Sequence, residues 1–423
     1  MEYQIIHRCR IPNDIRLFDV ILCGNYIERV LPLSEEASHS TYDVDSSKER
    51  INFYDAGGKL LLPGLVEPHI HMEKALLLSR MPKEVDTLQE AIEMTVKLKE
   101  SFTKEDMIKR SLYLANRLSS YGVTRVRCHV EVDPILGISA MESLLEVKEL
   151  LKDQLDLNIV AFPQEGIFAA PGTAELLEEA VKMGADAIGG ITYMDPDLEE
   201  HLEFVFRLAD KHNLPLDFHA DFSLNPEDRA IVRIAEKTID YNFQGRVAAG
   251  HVTSLGAMPR RDALQCAELI AAADIHIMTL PATDLYMNGR KDEENVRRGL
   301  TPVRMLLDQG VNVIYGANNI RNAFTPFGTG NVMDIAWLLA HTAYMGSEKD
   351  AKLLIDMATR RAARATGLPN YGIAPGQTAD LALFSVQSER ELLIERSRPV
   401  AVWKKGIKLD LREPELNIAH LSL

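Results

Sequence analysis

The sequence has few of the features that mark secreted, membrane and redox-active proteins. Its four cysteines, Cys9, Cys23, Cys128 and Cys266, show no Cys-x-x-Cys spacing, so we expect free thiols rather than a structural zinc site or a redox pair. No apolar run reaches the roughly 20 residues that cross a bilayer, and no apolar segment follows a basic start at the amino terminus. We therefore expect a cytoplasmic protein without a membrane partner.

Positive charge is also scarce. Lys and Arg total 47 against 62 Asp and Glu, which gives a formal net charge of −15. A chain of this charge repels phosphate backbones, which argues against a nucleic-acid partner. Hydrophobic residues make up 46% of the 423 residues and can fill a large core, although this length favours one large domain with a smaller one attached.

The two ends of the chain carry strand-like patterns. Residues 1–60 alternate apolar and polar positions around a Gly24-Asn25 turn, and the alternation returns at 379–384 and 400–409. We predict that residues 1–60 and 371–423 form one small β-sandwich domain. The polar run 34–50, which contains five serines, is expected to be a loop.

Between the ends, over residues 61–370, apolar runs rich in β-branched residues alternate with amphipathic stretches, which predicts repeated βα units. The predicted strands lie near 64–71, 124–132, 157–164, 187–193, 215–220, 246–251, 274–280 and 311–318. Eight parallel strands of this kind close into a barrel. The predicted fold class is therefore α/β, a (β/α)8 TIM barrel with a small β-sandwich domain built from both termini.

Histidines stand at the ends of several predicted strands. His69 and His71 lie one residue apart on the first strand, where positions i and i+2 face the same side, although two polar positions on a half-buried strand would give the same spacing. His219 and His251 end the fifth and sixth strands. Because the carboxyl ends of barrel strands surround one cavity, we expect these imidazoles to face the same space.

Further motifs accompany the histidines. They are Val66-Glu67-Pro68-His69-Ile70-His71, Phe162-Pro163-Gln164-Glu165-Gly166, His219-Ala220-Asp221, His251 and Pro326-Phe327-Gly328-Thr329. With these motifs the chain resembles the cytosine deaminase branch of the amidohydrolase superfamily over nearly its whole length. The resemblance implies that His69, His71 and His219 ligate one divalent metal ion, Zn²⁺ or Fe²⁺, with His251 acting in catalysis near its bound water. Gln164 matches the family's substrate-reading glutamine, whose amide offers a donor and an acceptor.

The chain departs from this family pattern at two positions. The glutamate that shuttles protons, three residues after the strand-five histidine, is replaced by Phe222, which would instead add apolar contact to the substrate. The strand-eight aspartate that binds the metal is replaced by Asn318, whose amide oxygen can coordinate but is a poor base. A general acid or base is commonly worth about 10²–10⁴ in rate, so we do not expect cytosine as the substrate.

Other residues are candidates to complete the site. Lys74 either projects toward the cavity and contacts the substrate or forms a charged surface pair with Glu73. Asp221 is a candidate catalytic residue that would orient a neighbouring group, and Asn319 is a candidate substrate contact. His129, at the end of strand two, is either a hydrogen-bonded core histidine or part of the pocket.

We therefore predict a hydrolase with one bound divalent metal ion that acts on a C–N bond of a small cyclic or N-substituted amide, amidine or urea. The alternative is a ligand-binding or catalytically impaired deaminase homologue, in which Phe222 and Asn318 mark lost turnover. The expected partner is a small-molecule substrate, and family members of this kind often form homo-oligomers.

Overall fold

The computed structural model describes residues 2–33 and 50–410, which form strands and helices in regular alternation. Within these ranges there are sixteen strands: β1 (Glu2–Cys9), β2 (Phe18–Cys23), β3 (Tyr26–Pro32), β4 (Arg50–Asp55), β5 (Leu60–Pro63), β6 (Leu65–Ile70), β7 (Val123–Glu131), β8 (Asp156–Phe162), β9 (Ala187–Ile191), β10 (Leu216–Ala220), β11 (Val247–His251), β12 (His276–Thr279), β13 (Asn312–Tyr315), β14 (Leu381–Phe384), β15 (Pro399–Lys404) and β16 (Ile407–Lys408).

Helices follow most of the barrel strands. The described ranges contain thirteen α-helices: α1 (Leu88–Lys99), α2 (Lys104–Ser120), α3 (Ser139–Leu150), α4 (Thr173–Met183), α5 (Leu198–His212), α6 (Ala230–Asp240), α7 (Arg260–Ala272), α8 (Pro281–Met287), α9 (Val303–Asp308), α10 (Val332–Thr342), α11 (Glu348–Met357), α12 (Arg360–Ala365) and α13 (Glu389–Glu395). Short 3-10 turns lie at Leu78–Arg80 and Thr253–Gly256.

The eight strands β6 to β13 are parallel neighbours in sequence order, and together they form the predicted barrel. Each predicted barrel strand overlaps an observed one, with ends that differ by at most three residues. The strands read as nearly continuous apolar runs because both of their faces are buried, one against the barrel interior and one against the helices. The prediction of a (β/α)8 barrel is confirmed.

The barrel closes where its first strand meets its last. Ile70 forms a parallel bridge with Asn318, the N–H of Asn318 donates to the carbonyl of His69 at 2.8 Å, and the N–H of His71 donates to the carbonyl of Asn318 at 3.0 Å. The buried Glu67 side chain adds to this seam, since its carboxylate accepts hydrogen bonds from the N–H groups of His69 and Ala317. The closing seam therefore lies directly beside the His69–His71 pair.

Both ends of the chain form the predicted β-sandwich. One sheet has the order β3-β2-β1-β4, and the other has the order β16-β15-β14-β5. They share a core in which Ile6 and Leu22 of the first sheet pack with Leu61, Leu381 and Trp403 of the second. The domain boundaries at 60 and 370 stay a prediction, and the predicted loop 34–50 lies outside the described residues except for its last residue, where β4 begins.

The structure also bears on two expectations about the whole chain, the absence of membrane-spanning helices and the state of the cysteines. No helix in the described residues is both long and apolar enough to cross a membrane. All four cysteines are free, with Cys23 half-buried and the other three buried. Burial raises the pKa of the Cys9 thiol to about 12, so this residue is an unreactive part of the sandwich core.

Candidate active site

Three histidine side chains converge at the carboxyl end of the barrel. Nε2 of His219, on β10, lies 3.2 Å from Nε2 of His69 and 3.3 Å from Nε2 of His71. Burial is the main cause that lowers the pKa of all three side chains well below the usual value, so the rings are neutral at physiological pH. The structure thus brings together the three predicted metal ligands, with one nitrogen atom of each directed at a common point.

The contacts around this cluster leave lone pairs available at that point. Nδ1 of His71 donates to the carbonyl oxygen of His129 at 3.1 Å, which fixes the tautomer whose lone pair is on Nε2. Oδ1 of Asn318 is buried without a hydrogen-bond partner among the described residues, and Asn318 lines the same cavity as His71 and His219. Neutral imidazoles with a free amide oxygen suit a divalent cation, so the donor set fits the predicted cofactor.

His251 lies at the edge of the same cavity and is held by two neighbours. Its Nδ1 lies 2.7 Å from Oδ1 of Asp284, a fully buried carboxylate on α8. The ring of Phe222 stacks on the His251 ring with a centroid distance of 4.0 Å and an interplanar angle of 18°. The centroid of His251 lies 5.4 Å from that of His219. The predicted catalytic histidine therefore stands beside the predicted metal ligands, in a fixed orientation.

The cavity next to the histidines is small, with about 280 Å³ of empty space that includes its open mouth. Its lining includes all four predicted substrate contacts, Lys74, Gln164, Phe222 and Asn319. The phenyl ring of Phe222 supplies an apolar surface, and the other three supply polar groups.

Lys74 belongs to a buried ionic network rather than to a surface pair, since the side chains of both Lys74 and Glu73 are buried. Nζ of Lys74 donates to Oε1 of Glu131 at 2.5 Å and to Oε1 of Gln164 at 2.9 Å. The other oxygen of Glu131 lies 2.5 Å from Nζ of Lys99. Burial raises the pKa of Glu131, but the two lysines outweigh it and lower the pKa to about 2, so the carboxylate is ionised.

Comparison with known proteins decides the family. A family model described as "Amidohydrolase family" matches residues 99–407, well over half of the chain. This chain is an amidohydrolase. Its predicted membership of the superfamily, and with it the predicted class of enzyme, a hydrolase of carbon–nitrogen bonds, are confirmed.

Individual relatives of this amidohydrolase match along nearly its whole length. An N-isopropylammelide isopropyl amidohydrolase from Pseudomonas sp. (strain ADP) is 29% identical over 92% of this chain and 96% of its own. A pterin deaminase from Rhizobium rhizogenes (strain K84 / ATCC BAA-868) is 26% identical over 94% of this chain and 89% of its own. The structure of a 5-methylcytosine deaminase from Klebsiella pneumoniae liganded with 5-fluorocytosine superposes with a TM-score of 0.89, at 30% identity over 98% of both chains.

In this amidohydrolase Asp221 is placed away from the cavity. Its two carboxylate oxygens each accept a hydrogen bond of 2.9 Å, from the N–H groups of Ala230 and Ile231, at the start of α6. Burial raises its pKa to about 7. The carboxylate is thus engaged at a helix amino terminus, and the geometry gives no support to the predicted catalytic role.

His129 occupies a supporting position. Its ring packs against His69 with a centroid distance of 4.0 Å, and its Nε2 lies 3.1 Å from Oδ1 of the buried Asp217. Of the two alternatives for this residue, the contacts favour the core histidine, which packs against His69, one of the predicted metal ligands, from the barrel interior.

Two carboxylates that contact predicted site residues were not themselves predicted from the sequence. Asp284 follows Pro281 in the first turn of α8, where an acidic residue is common for helix stability alone. Glu131 ends β7 in the run Cys128-His129-Val130-Glu131, and an inward carboxylate at the end of a barrel strand was the available signal.

Proposed function

We propose that this amidohydrolase uses one divalent metal ion, Zn²⁺ or Fe²⁺, to hydrolyse a C–N bond of a small nitrogen heterocycle other than cytosine. The observation that supports this most directly is the convergence of three neutral Nε2 atoms at a small cavity in the carboxyl end of the barrel. His69, His71 and His219 would hold the ion, with the amide oxygen of Asn318 as a further ligand. A cation bound there supplies a Lewis acid that activates water and polarises the scissile carbon.

In this proposal His251 is the residue that transfers a proton during hydrolysis of the C–N bond. Its Nδ1 is held by Asp284, so the neutral ring carries its lone pair on Nε2 and can accept a proton there. The buried carboxylate of Asp284 then stabilises the imidazolium that forms. The stacked Phe222 ring covers one face of His251, which excludes water from it and prevents the imidazole from rotating.

The lining of the cavity supports the exclusion of cytosine. Among the described residues that line it, none is an aspartate or glutamate, since Phe222 and Asn318 stand where the cytosine deaminase pattern has a glutamate and an aspartate. Each missing acid or base removes about 10²–10⁴ in rate from a reaction that needs it. The names of the relatives, which refer to N-isopropylammelide, pterin and 5-methylcytosine, support a nitrogen heterocycle as the substrate class.

The experiment is metal analysis of the purified protein followed by assays for ammonia and amine release from a panel of triazines, pteridines and pyrimidines. We expect about one equivalent of zinc or iron and release from at least one amino- or alkylamino-substituted ring. Absence of bound metal after growth in metal-supplemented medium would contradict the proposal. Robust conversion of cytosine to uracil would contradict the exclusion of cytosine as a substrate.

A second candidate function is a ligand-binding homologue without turnover, favoured by the absence of a carboxylate from the described cavity lining. It predicts that a heterocycle raises the melting temperature while no ammonia or amine appears. Product formation by any compound in the panel would exclude it. A cytoplasmic location and a homo-oligomeric state stay predictions, which fractionation and light scattering would test.

A further inference from the structure

The backbone at His251 is held in an unfavourable conformation. His251 has a φ of 70° and Val252 a φ of 49°, so two consecutive residues other than glycine lie in the left-handed region. Residues with a side chain rarely adopt this region, and a β-branched residue such as Val252 is a true outlier there. Such a conformation persists only where the surrounding structure holds it. The contacts that hold this turn therefore also set the direction of the His251 side chain.

The peptide unit between these two residues is bound at both of its polar atoms. The N–H group of Val252 donates to the carbonyl oxygen of Ala220 at 2.9 Å. The carbonyl oxygen of His251 accepts a hydrogen bond of 2.6 Å from the hydroxyl group of Thr301, which is short for an O–H···O bond. Together the two bonds oppose rotation of this peptide plane, the motion that would change ψ of His251 and φ of Val252.

The position of Thr301 is set by close packing in the segment that follows α8. Thr301 is buried, and two residues before it Gly299 accepts a hydrogen bond of 3.3 Å from Nδ2 of Asn288. A Cβ atom at Gly299 would lie only 2.5 Å from Cβ of Asn288, so the two residues are in close contact. The N–H group of Asn288 in turn donates to the carbonyl oxygen of Asp284 at 3.1 Å. Asp284 and Thr301, which hold the ring and the backbone of His251, thus belong to one packed unit.

We propose that Thr301 is a positioning residue of this enzyme, whose hydroxyl group holds His251 in the orientation from which its ring transfers a proton. The inference rests on the proposed function, in which His251 is the proton carrier. Thr301 does not line the cavity, so it acts through His251 and not by contact with the substrate. Without this hydroxyl group the peptide plane can relax toward a common backbone conformation, and the imidazole turns away from the reacting group.

Two substitutions of Thr301 separate its hydroxyl group from its shape. Thr301→Val keeps the branched shape without the donor, and Thr301→Ser keeps the donor. On a substrate that the assay panel identifies, Thr301→Val should lower kcat about 10–100-fold with KM changed less than about twofold, because a displaced proton carrier affects the chemical step and not substrate binding. Thr301→Ser should recover most of the lost rate. Metal analysis, circular dichroism and melting temperature show whether each variant is folded and loaded.

Thr238→Val is the matched control. Thr238 is buried on α6, donates a similar bond of 2.7 Å to the carbonyl oxygen of Ile234, and does not line the cavity. This variant loses the same kind of hydrogen bond, so its melting temperature should fall while its kcat stays within about twofold of the unmodified enzyme. An equal loss of kcat in Thr238→Val and Thr301→Val would overturn the positioning role.

A double-mutant cycle shows whether Thr301 acts through His251. His251→Ala alone should lower kcat about 10²–10⁴-fold, and adding Thr301→Val should lower it less than about twofold further, because no ring is left to position. A Thr301→Val effect of the same size in both backgrounds would overturn the inference. Unchanged kcat in His251→Ala would instead contradict the proposed function, because His251 would then carry no proton.

A measurement without substrate keeps the two conclusions apart. In ¹H–¹⁵N NMR spectra of protein labelled at histidine, the signals of His251 are those that are missing from His251→Ala. They should move in Thr301→Val and stay in place in Thr301→Ser and Thr238→Val. Unmoved signals in Thr301→Val would overturn the inference even in an active enzyme. Moved signals in a protein without metal or turnover would uphold the orienting hydrogen bond while the proposed function fails.

Discussion

The two sides of the cavity differ in where they keep their charge. On the side of β6 to β8, Lys74 and Glu131 form part of a buried ionic network that fixes the Gln164 amide. On the side of β10 to β13, the cavity is lined by neutral groups such as Phe222 and Asn318, and the carboxylate of Asp284 contacts His251 without lining the cavity. One side therefore holds fixed charges, and the other offers a single imidazole as its group for proton transfer.

The largest expected effect comes from His219→Ala, which removes the residue whose Nε2 meets both other histidines. Loss of supporting contacts alone costs a metal site about 10–100-fold in affinity, so removal of a ligand should lower the metal content more than about tenfold and abolish turnover. Elemental analysis measures this. His341→Ala, at an exposed position on α10, should keep its metal, and a metal-replete His219→Ala protein would disprove the assignment.

The next prediction introduces two carboxylates on the neutral side of the cavity, at the positions where the cytosine deaminase pattern has them. The double variant Phe222→Glu with Asn318→Asp should raise the rate of cytosine deamination by about 10²–10⁴ over the unmodified enzyme, because it restores a proton carrier and a basic metal ligand. Uracil formation is followed by its absorbance. No gain in a folded, metal-loaded double variant would show that the shape of the cavity also excludes cytosine.

Proton transfer on this side should be sensitive to the support of His251. In Asp284→Asn the amide no longer stabilises a protonated ring, so kcat should fall about 10²-fold with little change in KM. Steady-state kinetics on whichever substrate the panel identifies provides the measurement. Asp308→Asn, exposed on α9, is the matched control, and an equal effect in both variants would argue against the pairing.

The smallest effect concerns the loop that follows Gln164. Asp195 accepts hydrogen bonds from His201 at 2.6 Å and from the N–H groups of Ile167, Phe168 and Ala169. Burial raises its pKa, but these bonds outweigh it and lower the pKa from 3.8 to about 2. A carboxyl group with a lowered pKa stabilises the fold above its unfolded pKa and loses that contribution as the pH falls toward the folded value.

Acid unfolding therefore tests this loop. Between about pH 4 and about pH 2 the unmodified protein should lose about 2 kcal/mol of unfolding free energy from this group, and Asp195→Asn should show a shallower decline. Thermal melts over this pH range give the comparison. Asp153→Asn, at an exposed position, should follow the unmodified protein, and parallel curves for all three proteins would be the contrary result.

The parts of this molecule that the sequence predicts are those set by short-range pattern. The barrel strands are runs of β-branched residues with both faces buried, and the His69–His71 spacing follows from strand geometry. Asp221 lies just beyond such a pattern. In an extended strand it would share the face of His219, but β10 ends at Ala220 and Asp221 has a φ of 51°, which turns its carboxylate toward α6.

The contacts that orient the side chains lie beyond such patterns. Asp284 supports His251 from 33 residues away, and Glu131 meets Lys74 from 57 residues away. Each pair forms because separate barrel strands end at the same face, and a single sequence does not show which of many charged residues the closed barrel brings together. The hydrogen bond from Lys74 to the amide oxygen of Gln164 could not be predicted for the same reason.

The seam between the first and last barrel strands has a consequence for folding during synthesis on the ribosome. His69 and His71 are synthesised early, yet their backbone hydrogen-bond partners belong to Asn318. The Glu67 carboxylate likewise accepts a hydrogen bond from the N–H group of Ala317, which is synthesised late. A nascent chain that stops before this stretch lacks the last strand of the cylinder, and the backbone of His69 and His71 lacks these partners. The placement of the two histidines is thus coupled to completion of the fold.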